Sequence, residues 1–216
     1  MYEAKSKEIV LRRVREALAK SAPFLPPTPD FTSPLHPELT DDMSILFAES
    51  FVRNSGTFIY CENEEDFFDQ LFTYKKEQNL ENLFVWEQNL QNILYHAGID
   101  YKADEENFIQ KADAGLTTCE ALITRTGSIL ISSANAGGRR LSIYPATHIV
   151  VAKASQLVPD IKDGLLIVKN RHKERYPSMV SLVSGPSRTA DIEKTLVMGA
   201  HGPRQLVLFL IDDLPH

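Results

Sequence analysis

The sequence predicts an α/β fold, a mostly parallel sheet covered by helices, with a helical appendage at its N-terminus. Three observations carry this. Short apolar runs of four to eight residues, rich in β-branched and aromatic side chains, recur along the chain. Amphipathic stretches at helical spacing alternate with them, which is the order that builds βα units. A proline-rich stretch sets the first helical segment apart from everything that follows.

Residues 3–20 read as a helix whose stripe is Val10, Val14, Ala17 and Leu18, with Lys5, Arg12, Arg13 and Arg15 largely outside it. So thin a stripe needs a surface to dock on, its own core or a partner, and the expected choices are docking at home or on a second copy, the latter a homo-oligomer contact through this helix. Pro23, Pro26, Pro27, Pro29, Pro34 and Pro37, half of the 12 prolines, follow. Their fixed φ and missing N–H predict an extended arm. The expected division is therefore residues 1–37, helix and arm, and residues 38–216, the α/β domain.

Thr40 is the expected cap of a helix beginning at Asp41, with Met43, Leu46, Phe47 and Phe51 on one face. TFIYC (57–61) predicts a strand. Asn63 with Glu64, Glu65 and Asp66 predicts a capped helix start, with Phe67, Phe68, Leu71 and Phe72 turned inward. LFVW (83–86) predicts a strand, then Leu90, Ile93, Leu94 and Ala97 a helix closed by Gly98. Residues 101–111 give little signal. Thr117 or Thr118 is expected to cap a short helix through Leu122 and Ile123 that Gly127 stops. Further strands are predicted at SILISS (128–133), HIVVAK (148–153), MVSLVS (179–184) and QLVLFLID (205–212). Helices are expected near 159–169 and from about Thr189 to Met198.

Composition excludes several functions. The net charge is −6 with acids and bases interspersed, which does not suit tracking along nucleic-acid phosphates. No apolar run nears the ~20 residues that span a bilayer. The N-terminus lacks the apolar core of a signal peptide, so a cytoplasmic location is expected. Cys61 and Cys119 are the only cysteines. Two thiols this far apart are neither a disulfide framework nor the four-ligand set of a zinc or iron–sulfur centre.

Three segments carry candidate chemistry. In SGPSRTADIEKTLVMGAHGPRQL (184–206), Ser187 or Thr189 would cap the expected helix, and Arg188 adds a planar cation that pairs with carboxylate or phosphate. Asp191 in that first turn would complement the dipole or oppose an anion. In GLTTCEALITRTGSILIS (115–132), Thr126, Gly127 and Ser128 form a hydroxyl-lined turn able to hold an anion on backbone amides. Glu120 is there a candidate base, and Cys119 reads as a small core residue. In ANAGGRRLSIYPATHI (134–149), Gly137 and Gly138 loosen the backbone beside Asn135, Arg139 and Arg140. His148 and, in GAHGP, His201 are candidate proton carriers. Arg188 is expected at the carboxyl edge of the sheet, facing a pocket shared with the Thr126–Ser128 turn.

DAGLTTCEALITRTGSILIS, GGRRLSIYPATHIVVA and VSGPSRTADIEKTLVMGAHGPRQLVLFLID resemble, in order and spacing, the signature blocks of the lactate-utilisation (LUD) domain family. The likeness covers about residues 112–213, with looser agreement from 40 to 111. It implies a fold like that of the sugar-phosphate isomerase and CoA-transferase superfamily, and a role beside iron–sulfur proteins in oxidising L-lactate to pyruvate. Carried over by position, it makes Thr126, Gly127, Ser187, Arg188, Thr189 and Asp191 site candidates. To these the reading of residues adds Ser128 and Arg139. Arg125 and Ser128 depart from the family pattern, where an acid and a threonine are usual. With neither cluster cysteines nor a dinucleotide fingerprint, the chain is expected to bind no redox cofactor. Iron–sulfur clusters are then expected on its partners. Three roles follow: an accessory ligand-binding subunit, a stand-alone enzyme of the isomerase, CoA-transferase or folate cyclo-ligase-like kind, and an assembly module without a small-molecule site.

Overall fold

The computed structural model describes residues 3–19, 28, 36–106, 108–135, 138–192, 195–199 and 201–214. The chain falls into two compact units, Met1–Glu38 and Leu39–His216. The first contains α1 (Glu3–Ala19), on which Ile9, Val10, Leu11, Val14 and Leu18 are exposed. Most of the expected proline arm lies outside the described residues.

The second unit is built on five parallel strands in the order β1-β11-β6-β3-β2. These are β1 (Thr57–Cys61), β2 (Leu83–Phe84), β3 (Ala114–Thr117), β6 (Thr147–Lys153) and β11 (Gln205–Ile211). The predicted strands are all present, and the central ones are buried on both faces, hence their unbroken apolar runs. Along β6, Ile149 and Val151 join one core with Phe67, Leu71, Leu90 and Leu94. These four come from α3 (Glu64–Glu77) and α4 (Gln88–His96). Val150 and Ala152 face the opposite core, shared with Phe47 and Phe51 of α2 (Met43–Arg53). A four-residue helix, α5 (Phe108–Lys111), precedes β3. At the outer edge, the Gln70 side-chain amide donates to the Tyr60 carbonyl of β1 at 2.8 Å.

Helix starts follow the strongest acceptor. Asn63 caps α3 as expected, its Oδ1 accepting from the Asp66 amide at 3.0 Å. For α2 the cap is Asp42 rather than Thr40: its carboxylate takes the Ser44 and Ile45 amides at 2.7 and 3.3 Å. A charged acceptor on the positive end of the helix outcompetes a hydroxyl two residues earlier. Phe72, expected inside, is 60% exposed. Phe67 and Leu71 already fill the sheet-facing stripe of α3, and Phe72 falls one step beyond it.

The second face of the sheet is covered differently from expectation. Beside α2 lies a second, mixed sheet in the order β7-β4-β5-β8, comprising β4 (Ala121–Ile123), β5 (Ser128–Ser132), β7 (Leu157–Val158) and β8 (Val180–Val183). On its far side packs α6 (Ile161–Arg171), close to its expected place. The helix expected through Leu122 and Ile123 is thus β4 followed by a 3-10 turn, Thr124–Thr126. Leu122 points to the central sheet, while Ala121 and Ile123 point toward α6. A strand buried on both sides shows no alternation in sequence, so its period is unreadable.

The helix expected from Thr189 to Met198 is also a correction. β9 (Arg188–Ile192) and β10 (Thr195–Met198) pair antiparallel, with Val197 opposite Thr189 and Met198 opposite Arg188. Thr189, Ile192, Thr195 and Val197 are β-branched and suit a ladder. Ser187 and Thr189 therefore have no helix to cap.

Candidate functional site

At the carboxyl end of the central sheet, the chain leaving β2 enters α4 on one face. The chain leaving β3 enters β4 on the other. Where neighbouring connections part in this way a crevice opens, the usual place for a ligand in an open α/β sheet. Glu87 and Thr118 meet there. The Glu87 carboxylate accepts from the Thr118 amide at 2.8 Å and from its hydroxyl at 2.6 Å. Asn135 donates to the same Thr118 oxygen at 2.9 Å.

Two residues on, Glu120 is almost fully buried and holds three donors. The Ser132 hydroxyl donates at 2.6 Å, Arg171 at 2.6 Å and His172 Nε2 at 2.9 Å. The turn after β5 joins the two halves, because Ser132 serves Glu120 and Asn135 serves Thr118. Sequence reasoning singled out Glu120 but missed its partners Arg171 and His172, which lie 51 and 52 residues away at the end of α6. It missed Glu87 too. An acid directly after a strand's carboxyl end, Trp86-Glu87, was the available signal.

The two carboxylates are pushed apart. Burial raises Glu87 most, the bonds from Thr118 oppose it, and the nearby Glu120 charge adds to the rise, leaving Glu87 above its ordinary value. Burial also acts to raise Glu120. Its donors Ser132, His172 and Arg171 together outweigh that, holding it below the ordinary carboxylate range. Glu120 is thus an ionised carboxylate with its lone pairs committed, better suited to fixing Arg171 than to taking a proton. Arg171 is half exposed, and with one of its five N–H donors on Glu120 it reaches solvent with the rest. Thr118 also lines a cavity of about 190 Å³ with Lys153, Gln156, Phe67 and Leu90.

The remaining candidates are distributed over both ends of the sheet. Arg139 borders the crevice turn: it donates to Ser178, whose hydroxyl lies 3.2 Å from that of Ser133. Gly138 is pressed so close to the Ser132 carbonyl that a Cβ would overlap it. His148 is fully buried on β6, its Nε2 2.9 Å from the Thr117 hydroxyl, and its Nδ1 has no partner. Burial lowers it to about 4, so the ring is neutral at pH 7. His201 is exposed in the turn that leads into β11, at the opposite, amino end. Burial raises the Cys119 thiol and pushes Cys61 up to about 12, so neither is a ready nucleophile.

Arg188 and the Thr126–Ser128 turn do converge, but at the amino edge and on the C-terminus of α2. Arg188 donates to the Asn54 carbonyl at 3.1 Å and to the Ser55 hydroxyl. The Asn54 amide donates to the Thr126 carbonyl at 2.9 Å. Gly127 has φ +57°, and a Cβ there would overlap the Phe51 amide nitrogen. Ser128 and Ser184 share a hydrogen bond at 2.7 Å. Because Asn54 and Ser55 lie just before β1 begins, the carboxyl edge is the wrong end of the sheet for Arg188. Ser187 bonds through its backbone to Pro203 and Gly199. The side chains of Thr189 and Asp191, and Gly137, lie outside the described residues. Arg125, the departure from the family pattern, donates to Asp160 at 2.9 Å and so braces the start of α6.

Among the described residues, no three His, Cys, Asp or Glu side chains are grouped to hold a metal ion. No helix among them is long and apolar enough to cross a membrane.

Comparison with known proteins supplies the family. Lactate utilization protein C 1 of Bacillus mycoides is 32% identical over 118 residues, covering 54% of this chain and 50% of that protein. Lactate utilization protein C of Halalkalibacterium halodurans is 35% identical over 106 residues, covering 48% and 46%. The chain thus spans about half the length of these relatives. The crystal structure of a DUF162 family protein from Deinococcus radiodurans superposes with a TM-score of 0.60 at 20% identity, covering 81% of this chain and 99% of that one. That likeness shows the α/β fold. The model of the LUD domain matches residues 45–211, from α2 to the last strand, so the chain belongs to the LUD domain family.

Proposed function

We propose that this chain is an accessory subunit of a system that oxidises L-lactate to pyruvate in the cytoplasm, binding a small anionic ligand and working beside iron–sulfur partner proteins. Family membership, with relatives named lactate utilization protein C, is the observation that carries this reading. Chemistry supports the division of labour. Lactate oxidation releases two electrons that need a carrier. A chain with two buried cysteines cannot supply four thiolates for a cluster. The ligand is assigned to this carboxyl-end region, where Arg171 is held by Glu120 two residues after Thr118, which in turn bonds Asn135 and Glu87. An arginine already oriented by a buried carboxylate loses little entropy on binding a second anion.

A thermal-shift series with L-lactate, pyruvate and larger organic acids tests the ligand. A ligand at ~100 times its dissociation constant adds about 2.7 kcal/mol to stability. Arg171→Ala should abolish the shift. Normal growth on L-lactate after deletion of the gene, with no paralogue present, would remove the lactate role altogether.

A second reading is a free-standing enzyme of the isomerase, CoA-transferase or folate cyclo-ligase-like kind. Glu87 favours it: held beside Thr118 at the end of β2 and raised above its ordinary value chiefly by burial, its carboxyl is a candidate proton carrier. Turnover of a sugar phosphate, acyl-CoA or formyl-folate by the purified chain alone would promote it. A third, an assembly module, draws on the exposed apolar residues of α1. Removing residues 1–37 should then dissolve a homo-oligomer or complex while residues 38–216 stay folded.

A further inference from the structure

The outer face of α6 carries a feature that neither the crevice nor the fold uses. Leu165 and Leu166, 41% and 52% exposed, form with Tyr176 the floor of an open groove of about 420 Å³. Lys162 and Lys169 line it too. Ile161 extends the same exposed face. Positions 162, 165, 166 and 169 follow the i, i+3, i+4, i+7 spacing, so the stripe is apolar in the middle and cationic at both ends.

Charge indicates what covers it. Residues 161–176 hold five basic side chains, Lys162, Lys169, Arg171, Lys173 and Arg175, against Asp163 and Glu174. A local surplus of three positive charges stands out on a chain of net charge −6. Two-fold pairing with a second copy through this face would set lysines against lysines, which disfavours it. The two rim lysines are seven residues apart, roughly 10 Å along the helix at 1.5 Å per residue.

We propose that this face is a docking surface for an acidic amphipathic helix of a partner protein, whose apolar side chains enter the groove between two carboxylates about two turns apart. The assignment stands independently of the lactate reading. It also places the partner next to the crevice, because Arg171, the last residue of α6, is the donor that holds Glu120.

The test uses the full chain and a fluorescent synthetic helix of about fifteen residues, with leucines at i+3 and i+4 and glutamates at i and i+7. Fluorescence anisotropy should show binding that weakens as salt is raised. A matched peptide with lysines for the glutamates should bind at least about tenfold more weakly. The exposed double substitution Lys162→Glu/Lys169→Glu should reverse that preference, a swap that a folding defect cannot produce. Equal affinity for the two peptides, or no binding of either, overturns the proposal. So does a concentration-dependent dimer abolished by Leu166→Glu, which would make a second copy the occupant. Cosedimentation with phosphatidylserine vesicles in place of peptide binding would overturn it in favour of a lipid surface.

Discussion

Arg171 and Arg188 are the same residue, the one half exposed and the other exposed, and the structure gives them opposite tasks. Arg171 meets a buried carboxylate, and the pair fixes a charge at the carboxyl end of the sheet. Arg188 meets a backbone carbonyl and a serine at the end of α2, where a cation complements the negative end of the helix. One region, the crevice, is built around ionised groups whose burial is costly unless every lone pair is served. The other, the hairpin seam, is built around shape: a left-handed glycine and two serines pressed on a helix end. An arginine beside glycines and hydroxyls is therefore not a binding site in itself. What it faces decides.

The contrast makes the crevice side the acid-sensitive one, and there the largest effect is expected. An unfolded histidine takes its proton near pH 6.5, whereas buried His148, bonded to Thr117 just beneath the crevice, holds out to about 4. Its folded value is depressed, so its contribution is complete above pH 6.5 and is lost progressively as the pH falls toward 4. The loss is about 3 kcal/mol. Glu120, also depressed, gives up its share lower still, as the pH falls through its own folded value. Urea unfolding at a series of pH values should show this slope, and His148→Asn should flatten its upper part. An unchanged slope in that variant would break the contrast.

Next in size is Glu120→Ala, which strands His172 and Ser132 and leaves a cavity. Arg171 can turn to water, so the cost should be about 2–3 kcal/mol rather than that of a wholly buried pair. Chemical denaturation measures it. A loss below about 0.5 kcal/mol, the range of ordinary surface changes, would mean that the network is incidental. On the seam, Gly127→Ala should cost about 2 kcal/mol, from the positive φ and the collision with α2. The slope against pH should not change, which separates shape from charge. The smallest effect belongs to Arg188. Arg188→Ala should lose under about 1 kcal/mol, and Arg188→Lys should be nearly silent, because neither acceptor is a carboxylate needing a fork. A marked loss of ligand response in Arg188→Lys would move the binding site to the seam.

The legibility of the sequence follows the same line between regular and particular structure. Four of the five central strands, β1, β2, β6 and β11, and the helices α2, α3, α4 and α6 are readable because burial on known faces imposes a period or an unbroken apolar run; β3 is not, because its four residues, Ala114, Gly115, Leu116 and Thr117, are too short and too small a run to stand out. β4 was read as a helix because Ala121, Leu122 and Ile123 are buried on both sides and show no alternation. The β9–β10 hairpin was read as a helix because a glycine-proline break followed by acids imitates a helix start. Its pairing partner, ten residues on, decided otherwise. In the crevice, Glu120 is singled out by the sequence as a candidate base, though on an expected helix rather than just after a strand. Arg171 and His172 are not, because the chain returns to Glu120 only after β5, β6 and most of α6. A site assembled from distant loops leaves its members looking like ordinary surface residues.

The Gln70 amide on the Tyr60 carbonyl has a wider consequence. A half-exposed strand at the rim of a sheet is a template on which another chain can grow by strand addition. Here one of its carbonyls is already occupied by a side chain of α3, and Gln70 is itself held by Asp66 at 2.9 Å. An incoming strand would have to displace that amide before it could lie flat against β1. The helix that closes the core thus also stands in the way of strand addition at β1.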